Sequence, residues 1–132
     1  MGDASRRRPA PETDCSSGRQ TEEIEMARQD SSDTYVQIRK DYPEVIKALD
    51  GLGRAARKAG PLDEKTVQLI QLGAAAATGA TASVLSHARR ALAAGAKRAE
   101  LRHAVMATVN VAGFPHVIAA LAALEDLPRK AK

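Results

Sequence analysis

Cysteine is almost missing from this chain: Cys15 stands alone among 132 residues. One thiol forms no internal disulfide and no C-x-x-C couple, which fits a reducing compartment. Tryptophan is absent, and Tyr35, Tyr42 and Phe114 are the whole aromatic set, so stacking on single-stranded nucleic acid has no platform. No apolar run approaches the roughly 18 residues of a membrane span. The arginines of the opening MGDASRRRPAPETD have no apolar stretch behind them, so no export signal is expected and the cytoplasm is the default. Nor does any stretch alternate β-branched and polar residues, which leaves no strand to expect.

What is present is alanine, charge and helical punctuation. Apolar residues make up 44% of the chain, and alanine carries much of that share. Alanine lets helices approach closely but buries little area, at about 25 cal/mol for each Å². A domain this small and this alanine-rich is expected to seek further burial in a homo-oligomer. The net charge of +4 hides an asymmetry: five arginines against eight acids leave residues 1–33 at −3, and fifteen Lys or Arg against eight acids leave residues 34–132 at +7. The cations come in scattered pairs such as Arg57/Lys58 and Arg89/Arg90, the pattern of solvated helix faces rather than of a nucleic-acid stripe.

Residues 1–31 are polar and carry Pro9, Pro11 and Gly18 with few large apolar side chains. A disordered tail is expected there, with Thr21–Arg28 as its one helical candidate. An all-α domain of about six helices is expected over 32–128. Ser32-Asp33 reads as the first cap, and Pro43 opens a second helix on which Val45, Ile46, Leu49, Leu52 and Ala56 fall at helical spacing. Asp63 caps a third helix that ends at Thr78-Gly79. Thr81 opens a fourth, ended by Gly95. Glu100 lies in the first turn of a fifth, which Gly113 and Pro115 separate from a sixth. Short loops make sequential helices antiparallel neighbours.

Chemistry concentrates on the fourth helix. Ser83 and His87 lie four apart on one face, so Ser83 is expected to hydrogen-bond the imidazole directly or through water. Gln68 and Gln71 lie on the preceding helix and can reach the same space. A neutral histidine among hydroxyl and amide groups can act as a general base, and as imidazolium can bind a carboxylate. A Ser–His hydrolase is excluded by the missing nucleophile elbow and acidic orienting partner. On the fifth helix His103, Met106 and Asn110 share the face opposite Leu101, Val105, Thr108, Val109 and Ala112. They read as a solvent or subunit-contact face, or else as lining for the space His87 enters. His116 opens the last helix, where the dipole disfavours a cation, and is expected to be structural or exposed. The three histidines, 16 and 13 residues apart, have no short-range ligand pair, so neither metal nor organic cofactor is expected.

GPLDEKTVQLIQLG, SHARRALAAGA, the acid at Glu100 and GFPHVIAAL, in this order and spacing, resemble the carboxymuconolactone decarboxylase family, which includes the AhpD-like alkylhydroperoxidases. The likeness covers about residues 35–127. It implies an AhpD-like helical bundle, assembled as homotrimers or homohexamers, with a site between helices near a subunit contact. The peroxidase branch carries C-x-x-C-x-x-x-H preceded by a glutamate. Counting back from His87, the two cysteine positions hold Ala80 and Ser83, and the glutamate position falls on Gln68. Peroxide reduction needs a thiolate and a resolving thiol, and those two residues supply neither. The decarboxylase branch keeps a histidine at the position of His87 and a Gly-x-Pro like Gly113-Phe114-Pro115. There a β,γ-unsaturated lactone acid losing CO₂ requires a proton donor at its γ carbon. His87 could be that donor, with Arg89 or Arg90 holding the carboxylate.

Three readings follow. The first is a non-redox enzyme or binder of a small organic acid or lactone, using His87 with Ser83 and Gln68. The second is an AhpD-like peroxidase, which would depend on Cys15. The third is a non-catalytic assembly protein, whose function would survive His87→Ala.

Overall fold

The computed structural model describes residues 16–129, so Cys15 lies outside the described residues, as does the first half of the expected polar tail. Helices follow one another in the order α1 (Ser16–Asp41), α2 (Pro43–Lys58), α3 (Glu64–Ala77), α4 (Thr81–Ala93), α5 (Arg98–Met106), α6 (Val109–Ala112) and α7 (Phe114–Glu125), with no strand among the described residues. The chain divides after Gln37 into two units. The first holds most of α1, whose Met26, Tyr35 and Val36 are exposed. The start expected at Ser32-Asp33 falls inside this helix, which begins sixteen residues earlier, at Ser16. Serine and aspartate cost a helix interior only about 0.7 kcal/mol each or less, too little to stop it.

The second unit is built on α3 and α4, an antiparallel pair joined by three residues. Asp63 caps α3 by accepting the Thr66 backbone N–H at 2.8 Å. At the far end the N–H of Gly79 bonds to Ala76 and that of Ala80 to Ala75, both at 3.1 Å. This paired closure needs a left-handed residue, and Gly79 supplies it with φ +72°. α4 ends the same way at Gly95, with the N–H of Ala96 on the Ala91 carbonyl. α5 starts at Lys97, whose side chain cannot accept a backbone proton. Glu100 serves instead, its Oε2 taking the Lys97 N–H at 2.7 Å.

α7 packs on α3, α4 and α5, and the core lies among these four. Leu72, Val84, Leu101, Val105, Val117, Leu124 and Leu127 are its large members, filled in by alanines such as Ala75, Ala76, Ala88 and Ala91. Each large aliphatic chain contributes ~1.5–3 kcal/mol by burial, while the alanines let the helix backbones come close. Gly73 serves the same end, since a Cβ there would lie 3.1 Å from Thr108 Cγ2.

Two elements depart from expectation. The fifth helix, expected to run to Gly113, breaks into α5 and α6 around Thr108. The Thr108 hydroxyl donates to the Val105 carbonyl at 2.7 Å and its backbone N–H to the same oxygen. That side-chain bond competes with the helical ladder and bends the chain. On α2, only Ile46 of the expected apolar face is buried; Val45, Leu49 and Leu52 are about 60% exposed, because α2 has scarcely any contact with α3–α7.

Candidate functional site

The pairing of α3 with α4 decides which side chains meet. Gln68 lies ten residues before Thr78 and His87 nine after it. At about 1.5 Å per residue Gln68 sits ~14 Å back from the end of α3 and His87 ~9 Å on from the start of α4, near enough in height for two long side chains to meet. Their side chains touch, with His87 Nδ1 3.0 Å from Gln68 Oε1. Among the described residues Gln68 is the one polar side chain in the core, with 0% of its surface exposed. Both ends of its amide have a partner, since Nε2 donates to Glu64 Oε1 at 2.7 Å. Arg57, in the last turn of α2, brings Nε to 3.8 Å from that same Oε1.

An amide oxygen only accepts, so His87 Nδ1 carries the hydrogen and donates it to Gln68. In the neutral ring Nε2 then holds the lone pair. The ring is half-buried. Its pKa is held below the usual histidine value of 6.5, first by desolvation and then by the nearby guanidinium charges of Arg90 and Arg57. All three effects disfavour imidazolium. At neutral pH the site therefore presents an uncharged base near the guanidiniums of Arg90, which is exposed, and Arg57, which is paired with Glu64. Such a site attracts an anion and can take a proton from it.

The direct hydrogen bond expected between Ser83 and His87 is not made. Ser83 is exposed one turn before His87, and Nδ1 reaches across to α3 instead. Gln71 keeps a buried Oε1 with no hydrogen-bond partner among the described residues. His103, Met106 and Asn110 are exposed on α5 and after it, as a solvent-facing or subunit-facing surface would be. His116 is also exposed and donates Nδ1–H to the Ala112 carbonyl at 3.1 Å. Among the described residues no three His, Cys, Asp or Glu side chains gather as a metal site would require, and no helix is long and apolar enough to cross a membrane. An open cleft of about 220 Å³, lined by Arg39, Pro43, Ile46, Lys47, Asp50 and Arg54, shares no residue with the His87 site.

Glu64 and Arg57 were not singled out from sequence. Glu64 stands one helical turn before Gln68, and that spacing was a usable signal. Arg57 lies beyond the Gly60-Pro61 turn, where no periodicity connects it to α3.

The family model described as the carboxymuconolactone decarboxylase family matches residues 43–126. That span runs from α2 to the end of α7 and contains Arg57, Glu64, Gln68, His87 and Arg90. Comparison with curated proteins and with solved structures gave no match. The chain belongs to the carboxymuconolactone decarboxylase family.

Proposed function

Taking family membership and the His87 geometry together, we propose that the protein performs non-redox chemistry on, or binds, a small organic acid or lactone, with His87 as the proton-transferring group. The observation that carries this reading is the half-buried, neutral ring whose Nδ1 is tied to buried Gln68 while two guanidiniums stand near. Arg90 and Arg57 draw the carboxylate of the ligand, and Nε2 accepts the proton of an acidic C–H next to a carbonyl. Ser83 offers the ligand a hydroxyl from the exposed turn before His87. In a decarboxylation the same nitrogen works in reverse. The bond from Cα to the carboxylate breaks, its electrons form the new Cα=Cβ bond, and the displaced π pair takes a proton at the γ carbon from Nε2–H of the imidazolium. A ring that protonates reluctantly gives its proton up readily, so the lowered pKa suits that step below neutrality.

Self-association in the cytoplasm, as a trimer or hexamer, belongs to the proposal. It is supported by the apolar stripe of Val45, Leu49 and Leu52 on α2 and by exposed Ile70, Val111, Phe114 and Ile118, surface that a second copy would cover.

Incubating unsaturated γ-lactone acids and β-keto acids in D₂O, with NMR detection of CO₂ loss and of deuterium entering carbon, tests the reading. Turnover or exchange by the wild type and not by His87→Gln is expected. Equal rates for both proteins, or no reaction across the set combined with no binding, would overturn it. The pH profile separates the roles: a general base gains rate as pH rises through the His87 pKa, and a general acid loses it.

A further inference from the structure

Gln68 can turn either end of its amide toward His87. With Oε1 facing the ring, Nδ1 is the donor and Nε2 the base; with Nε2 of the amide facing it, Nδ1 must accept and ring Nε2 carries the hydrogen instead. Gln68 is too deeply buried for water to choose between these states. Glu64 makes the choice. An ionised carboxylate has no hydrogen to give, so only the amide nitrogen can face Glu64 Oε1, which lies 2.7 Å away. The amide oxygen is thereby left for His87 at 3.0 Å.

We infer that Glu64 is a positioning residue that acts through the Gln68 amide to fix the base of the site at His87 Nε2. This rests on His87 being the proton-transferring group, but its test does not. Glu64 sits in the first turn of α3, where the helix dipole favours its charge. Arg57 Nε stands 3.8 Å from the same carboxylate oxygen, an attraction that favours the carboxylate in this position. Glu64 is itself exposed, so its replacement need not disturb the core. The chain of contacts runs from a surface charge, through one buried amide, to the ring, and each link has a single donor–acceptor sense. A proton shuttle is not required: Glu64 works by orientation alone. It never touches a ligand at Nε2, because Gln68 and the ring lie between them.

The test is ¹⁵N NMR of the histidine ring nitrogens in the full-length protein above the His87 pKa, with His87 assigned by the signals lost in His87→Gln. Wild type is expected to show the Nδ1–H tautomer. In Glu64→Ala the preference for that tautomer is expected to fall by about tenfold, the ratio equivalent to one hydrogen bond of ~1.4 kcal/mol. Glu64→Gln is expected to fall between the two, because its amide can accept from Gln68 in one orientation and donate in the other. A structural role at the helix start would alter melting temperature and leave the tautomer alone. An unchanged Nδ1–H tautomer in Glu64→Ala would overturn the inference while leaving His87 as the site. An Nε2–H tautomer in the wild type would overturn the assignment of the base as well. No substrate enters the measurement, so its failure is distinct from a failure to find turnover.

Discussion

Exchanging Gln68 for glutamate puts one negative charge where the protein now has an uncharged amide, in contact with the His87 ring. The substituted oxygen lies 3.0 Å from His87 Nδ1, and a carboxylate at that distance favours imidazolium over the neutral ring. Two unit charges about 4 Å apart attract by ~4 kcal/mol at an effective dielectric of ~20. Three features of the site reduce that figure. The position is wholly buried, so the new carboxylate loses its hydration; Glu64 lies in hydrogen-bond contact and repels it; and Arg57 and Arg90 compete for it. About 1.4–2.7 kcal/mol of coupling is left, a tenfold to hundredfold gain in proton affinity for the ring. An NMR titration of the His87 Cε1–H resonance in both proteins measures it directly. The base limb of any pH–rate profile should move to higher pH by the same factor, and activity at neutral pH should fall. A His87 proton affinity unchanged or weakened by Gln68→Glu would refute the contact on which the site is built.

Other outcomes follow from the same structure. Because the folded-state pKa of His87 is lowered below 6.5, the unfolded chain binds the proton more readily, so stability is expected to decline as pH falls below about 6.5. Glu100 and Asp63, whose pKa values are lowered by their backbone and side-chain hydrogen bonds, add losses only in the acid range below their ordinary values. Denaturation midpoints from pH 7.5 to 5.5 should therefore fall in the wild type and flatten in His87→Gln; parallel curves would contradict the lowered pKa. Gly79→Ala forces alanine to φ +72° with its Cβ 3.3 Å from His116 Cδ2, and should cost about 1 kcal/mol or more in urea denaturation; an unchanged midpoint would count against the closure of α3. Gly73→Ala gains helix propensity but meets the Thr108 methyl at 3.1 Å. Combining it with Thr108→Ser should yield a favourable coupling of about 0.5 kcal/mol or more in a double-mutant cycle, and strict additivity would show that the two helices do not approach as described.

Helix ends were the most legible part of the sequence, because they depend on chemistry local to the chain. Asp63 before an apolar run, glycine at positions 79 and 95, and Gly113-Phe114-Pro115 each specify a backbone conformation that few other residues adopt. The meeting of Gln68 with His87 is half legible: the tight turn makes α3 and α4 antiparallel neighbours, but Gln68 lies eleven residues before Gly79 and His87 eight after it, so counting from the turn does not pair them. Ser83 shares a helical face with His87, yet the ring had a buried acceptor on α3 and turned to it. The Ser32-Asp33 pair resembles a helix start because caps and helix interiors share these residues, and only neighbouring structure separates the two uses. Thr108 breaks its helix through one side-chain bond that leaves no mark on the apolar spacing. On α2 the periodicity was right and the burial was not, since periodicity reports a face and says nothing of what covers it.

A site at His87 for a small anionic acid or lactone would show itself as ligand-dependent stability. Thermal denaturation of the wild type and of His87→Gln, against a panel of small lactones, β-keto acids and dicarboxylates, tests it most directly. A ligand present at a hundredfold its Kd stabilises the native state by ~2.7 kcal/mol, a shift of several degrees in a domain of this size. At least one such ligand is expected to raise the melting temperature of the wild type and to leave His87→Gln unmoved. A panel that shifts neither protein, or shifts both equally, would contradict it.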